Sequence, residues 1–151
     1  MERVPSDDPT FEARGDGVLE HLCQSLQLLA SPAQAQLSHF PADWVVLTDE
    51  MALDLDHWTQ CLSTYWNPSN AQMVQLSRLD DFLSEMSGSL HRDFWTDEAL
   101  SSDPRWEEVR TLAKAALVGF GWPIEIPLPA REDHGMFVDK GSYFLKSRPP
   151  S

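Results

Sequence analysis

Apolar residues return at intervals of three and four along most of this chain, in stretches that each carry their own start and stop signals. That period confines the chain to helices packed on one another. Val18, Leu22, Leu26 and Leu29 form one stripe, widened by Leu19 and Cys23, between a Gly15-Asp16-Gly17 break and a Ser31-Pro32 restart. A capping serine with proline at the first helical position predicts a second, short helix over 32–39 that stops at Pro41. Ser69 and Gln72 stand at capping-box spacing ahead of Met73, Leu76, Leu79, Phe82, Leu83 and Met86, with Ser87-Gly88 as the stop. Thr96-Asp97-Glu98 predicts a single turn ending near Leu100. Asp103-Pro104 then opens a last helix whose stripe is Trp106, Val109, Ala113, Ala116, Leu117 and Phe120, closed by Gly119 or Gly121.

Residues 42–66 are ambiguous. Trp44-Val45-Val46-Leu47 suits an extended chain, and Ala52-Leu53-Asp54-Leu55-Asp56 alternates as a strand would. Thr48 as a cap, Asp49 and Glu50 in a first turn, and Met51, Leu55, Trp58 and Leu62 on one face favour a helix instead. From Trp122 onward, prolines alternate with Ile124, Ile126 and Leu128, which fits an extended strap and not a paired strand. Two short β-like runs, 135–138 and 142–145, fit a terminal hairpin. The expected architecture is all-α: a compact bundle of five or six helices over 15–121, preceded by a flexible acidic leader at 1–14. A proline-rich extended segment at 122–151 follows it.

The chain has 151 residues, about one domain, and six tryptophans and seven phenylalanines give it ample apolar surface for a core. Its charge is unevenly placed. Residues 15–77 hold no lysine or arginine, yet they carry Asp16, Glu20, Asp43, Asp49, Glu50, Asp54 and Asp56, seven of the thirteen net negative charges. Such a segment suits a positively charged partner and disfavours direct contact with nucleic acid. The acidic start does not read as a secretory signal, and no apolar run approaches the ~20 residues of a membrane span. Cys23 and Cys61 read as reduced, apolar positions, so the cytoplasm is the expected location.

The densest polar group, Asp49, Glu50, Asp54, Asp56 and His57, holds the ingredients of a metal site or an acid–base pair. Helical spacing spreads these residues around the axis, and no metal-binding motif accompanies them, so a solvated acidic face is expected. His21, His39, His57, His91 and His134 are read as lacking a second histidine or cysteine at ligand spacing, so no metal site and no cofactor are expected. Nucleotide-binding glycine loops and serine-nucleophile motifs are missing, and either cysteine as a nucleophile would lie in base-free surroundings. Trp58, Trp95 and Trp106 read as core. Trp44 and Trp66 sit at element boundaries beside acidic residues, where they could anchor Arg or Lys side chains or simply cover the edge of the core. Arg105, Arg110 and Lys114, with Glu107 and Glu108, read as an ion-paired exposed face of the last helix.

Asp49-Glu50-Met51-Ala52-Leu53-Asp54-Leu55-Asp56 and Trp106-Glu107-Glu108-Val109-Arg110-Thr111-Leu112-Ala113 resemble segments of small acidic helical proteins of bacteria that have no assigned function. The resemblance covers residues 18–120 in layout. It implies a bacterial cytoplasmic protein and brings no catalytic residue. The favoured expectation is a non-enzymatic binding module whose acidic surface masks or inhibits a basic protein, as immunity proteins and antitoxins do. The candidate contacts are Asp43, Trp44, Asp49, Glu50, Asp54, Asp56 and Trp66. Two alternatives stand beside it: a small metal-assisted enzyme using Asp49, Glu50, Asp54 and His57, and a self-assembling scaffold whose C-terminal strap docks on a neighbouring copy.

Overall fold

The fold is that of a computed structural model, which describes residues 1–39 and 46–128. It is all-α. In chain order come β1 (Glu2–Arg3), α1 (Phe11–Ala30), α2 (Ala33–His39), α3 (Leu47–Tyr65), β2 (Trp66–Asn67) and α4 (Asn70–Glu85). A 3₁₀ segment (Ser89–Trp95), α5 (Asp97–Ser102) and α6 (Pro104–Phe120) complete it. Helix α1 packs on both α3 and α6, and α4 lies against α6. The core takes Leu22, Leu26 and Leu29 from α1, Met51, Leu55 and Leu62 from α3, and Leu76, Leu79 and Leu83 from α4. Trp106, Val109, Ala113 and Leu117 of α6 fill the middle.

Local signals set most boundaries. Ser69 accepts from the Gln72 backbone N–H while the Gln72 side chain accepts from the Ser69 N–H, closing the capping box in front of α4. Thr96 caps α5 through the Ala99 N–H, and Asp103 caps α6 with Pro104 at its first turn. Gly121 ends α6 in the left-handed region at φ 73°. Its N–H reaches the Val118 carbonyl and the Trp122 N–H reaches that of Leu117, the paired bonds of a Schellman stop.

Elsewhere tertiary contacts override the local reading. The expected leader at 1–14 is built into the fold: α1 begins at Phe11 and runs unbroken through Gly15 and Gly17, and β1 pairs antiparallel with β2, Arg3 opposite Trp66. A glycine suits this helical position because a Cβ there would stand 3.1 Å from Tyr65 Cβ and 3.3 Å from Trp66 Nε1. Helix α3 starts at Leu47, so Thr48 lies inside its first turn and donates across to the Trp95 carbonyl at 3.0 Å instead of capping. The loop expected before Thr96 is a 3₁₀ segment that carries the fully buried Phe94 onto Trp106, ring centroids 4.3 Å apart and stacked. Residues 122–128 have no regular secondary structure, and Gln27 Nε2 ties them to α1 through the Pro123 carbonyl at 3.0 Å. The expected hairpin over 135–145 lies outside the described residues.

The largest departure concerns Arg110, expected on an exposed face and found 5% exposed. Its position follows from the stripe itself, since Trp106, Val109, Arg110, Ala113 and Leu117 share one side of the helix. Nε donates to the Ser31 carbonyl at 3.0 Å. One terminal nitrogen reaches Gln36 Oε1 at 2.9 Å and the Leu100 carbonyl at 2.5 Å, and the other reaches Glu107. Gln36, fully buried, sends its own amide to the Leu28 and Leu29 carbonyls at 3.1 and 3.2 Å. The buried C-terminus of α1 is thereby satisfied from α2 and α6 together.

Arg110→Ala should lower the unfolding free energy by about 2–4 kcal/mol, because it strands buried acceptors. Arg105→Ala, which removes ion pairs at the surface, should cost clearly less. Urea denaturation of both variants measures the difference. A second pair separates helix propensity from packing. Gly17→Ala meets nothing within 4 Å and should stabilise by about 1 kcal/mol, whereas Gly15→Ala should forfeit that gain to the crowding at Tyr65 and Trp66.

Candidate functional site

Helix α3 carries most of the acidic residues singled out from the sequence, but it distributes them over three environments. Asp49 and Glu50, in its first turn, are buried at 8% and 4% exposure, so the solvated face expected of the cluster excludes these two. Their turn lies inward because Leu47, Thr48 and Met51 around them are core positions. Asp54 and Asp56 are half-buried, two residues and therefore ~200° apart on the helix, so they occupy opposite flanks. Asp43 and Trp44 lie outside the described residues.

The Asp54 flank turns towards α1. Asp54 accepts from Trp58 Nε1 at 2.9 Å, and the Trp58 ring is stacked with His21 of α1, centroids 4.4 Å apart. His57 meets the Trp58 ring edge-on at 4.6 Å, and its Nε2 stands 3.9 Å from Cys61 Sγ. The sequence reading found no histidine paired with a cysteine. His57 and Cys61 are four residues apart on one helix, and that spacing was the missed signal. Burial pushes both thiols up from their ordinary value, with Glu125 and Glu20 adding to the effect at Cys23, so neither is an activated nucleophile.

The Asp56 flank turns towards α4. Asp56 accepts from Gln60 Nε2 at 2.8 Å. Facing it, Asp80 of α4 is held above the usual carboxylate range, first by partial burial and then by the negative charges of Asp56 and Asp81. On this α3–α4 seam the charges of neighbouring carboxylates add to burial in raising one of their number. Asp80 and Asp81 lie past the base-free segment, outside the run of composition that marks the acidic half of the chain.

Trp66 is spoken for. It is 8% exposed, its Nε1 donates to the Gly15 carbonyl at 2.9 Å, and the guanidinium of Arg3 lies 4.4 Å from its ring centroid. An open surface depression of about 610 Å³ lies elsewhere, at the start of α6. Asp93, Thr96, Glu98, Asp103 and Arg105 line it. Arg105 donates there to Asp103 and Asp93, which holds the Asp103 carboxyl below its usual range. None of Asp49, Glu50, Asp54 or His57 reaches this depression. Among the described residues, no three His, Cys, Asp or Glu side chains are grouped to hold a metal ion, and no helix is long and apolar enough to cross a membrane. No protein-family model matches the chain, nor does any curated protein or solved structure.

Asp80 and Asp103 bias stability in opposite directions with pH. Asp103 is depressed in the folded state, so its contribution is present above its unfolded value near ~4 and is lost as pH falls through the folded value. Asp80 is raised, so its ionisation opposes folding above its folded value and the penalty disappears at lower pH. Thermal unfolding from pH 7 downward should show Asp103→Asn less stable than the parent and Asp80→Asn more stable. The Asp80 difference should close as pH falls through its raised value towards ~4, and the Asp103 difference only as pH falls below ~4.

Proposed function

We propose that this protein is a non-enzymatic binding module of the cytoplasm whose acidic surface masks or inhibits a basic protein, in the manner of an immunity protein or an antitoxin. The observation that carries the reading is the α3–α4 seam, where Asp56, Asp80 and Asp81 come together and Asp80 is held above its ordinary range, first by partial burial and then by the charges of Asp56 and Asp81. A cationic side chain arriving there would relieve that crowding on contact. Complementary charge of this kind steers encounter and sets partner choice more than it adds raw affinity. Asp54 and the half-buried Trp58 on the other flank of α3 offer an aromatic and acidic rim of the type that receives Arg or Lys. Asp49 and Glu50 are buried inside the fold and drop out of the contact surface, and in the free chain the Trp66 ring is covered by Arg3.

The test is recovery of the tagged chain from its native lysate at low salt, with companions identified by mass spectrometry. The expected result is a stoichiometric basic protein, released by raised salt and reduced tenfold or more by combined Asp56→Asn, Asp80→Asn and Asp81→Asn. Asp49→Asn and Glu50→Gln should change the melting temperature and leave recovery unmoved. A chain that comes through free of partners would contradict the proposal.

A further inference from the structure

The corner where β1 meets β2 is already an arginine-binding site, with an arginine of the chain itself in it. Arg3 donates through one terminal nitrogen to Asp16 Oδ1 at 2.5 Å and through the other to the Glu12 carbonyl at 3.2 Å. Its Nε stands 4.0 Å from the Glu12 carboxylate, and the guanidinium lies over the Trp66 ring at 4.4 Å. Three kinds of recognition thus converge on one side chain: a carboxylate on the adjacent turn of α1, a backbone acceptor and an aromatic face. The receiving surface is fixed independently of Arg3. Trp66 is pinned by its bond to the Gly15 carbonyl, the absent Cβ at Gly15 lets it approach, and Phe11 packs on Tyr65 with ring centroids 4.8 Å apart.

The occupant is held far less firmly than the receptor. β1 is two residues long, its register sets Glu2 opposite Asn67 and Arg3 opposite Trp66, and one more backbone bond, Val4 N–H to the Tyr65 carbonyl at 2.9 Å, extends it. A strand this short is marginal, and its pairing edge is the template that an added strand uses. The Arg3 side chain remains 37% exposed.

We propose that this corner is a docking site for an arginine on an extended segment of a basic partner, kept closed in the free protein by Arg3. The inference rests on the reading of the chain as a binder of basic proteins and names the chemistry that one part of such a partner presents. An incoming segment would pair antiparallel with Trp66–Asn67, as β1 does, and place its arginine between Trp66 and Asp16. Because β1 competes within the same chain, at an effective concentration of order millimolar, it sets the threshold a partner must exceed.

The experiment uses the full chain carrying R3A and a synthetic peptide of the sequence of residues 1–6, added while the Trp66 indole N–H is followed by NMR and assigned with W66F. Saturable binding at least tenfold tighter to R3A than to the parent chain is expected, weakened when the peptide carries lysine in place of its arginine and when D16N is added to R3A. R3Q serves in the same way should R3A alter the far-UV dichroism. The proposal is overturned if a natively folded R3A or R3Q chain shows no saturable shift up to several millimolar peptide, or if parent and variant respond alike. D80N and D81N should not affect this titration. A chain that fails here yet still recovers a basic partner through the α3–α4 seam would sink this inference and leave the wider reading standing.

Discussion

The buried guanidinium of Arg110 is the contact on which the arrangement of helices depends. Helix α1 packs between α3 and α6, and its C-terminus ends inside the protein with carbonyls that water cannot reach. Such an end is tolerable only with donors from elsewhere. Gln36 on α2 supplies two, the Ser31 hydroxyl supplies one to Gln27, and Arg110 on α6 binds the Ser31 carbonyl while holding Gln36 in place. The same guanidinium reaches the Leu100 carbonyl in α5. One cation therefore fixes four elements relative to one another and complements the negative end of the α1 dipole.

That arrangement bears on function through the basic residues it engages. Arg110 is inside, Arg105 is held between Asp103 and Asp93, and Arg3 is folded onto Trp66 and Asp16. These three cations are committed to ties within the chain. On the α3–α4 seam, partial burial and the charges of Asp56 and Asp81 hold Asp80 above its usual range, and the reading of the protein as a binder of basic partners grows from that acidity.

Elements with local punctuation were legible in the sequence. α4 and α6 follow their capping box, proline start and glycine stop closely, because those signals act within a single turn. What was not legible depends on contacts distant in the chain. Gly15 and Gly17 read as a break, yet α1 passes through them, since Gly15 gives Trp66 room from fifty-one residues away. Arg110 carries a charge, and the general habit of charges to lie outside outweighed its place on the apolar stripe of α6. Asp49 and Glu50 were judged by the same habit and are also inside. For the candidate site, composition located an acidic region, but helical geometry divided Asp54 from Asp56, and only the packing of α4 on α3 brought Asp80 into view.

The most direct test is side-chain NMR of the arginines, following hydrogen exchange at each Nε–H near neutral pH. The Arg110 proton should exchange orders of magnitude more slowly than those of the exposed Arg78 and Arg92, with through-space contacts to Ser31 and Gln36. An Arg110 proton that exchanges as fast as those two would contradict the account, because the buried tie that orders the helices would then be absent.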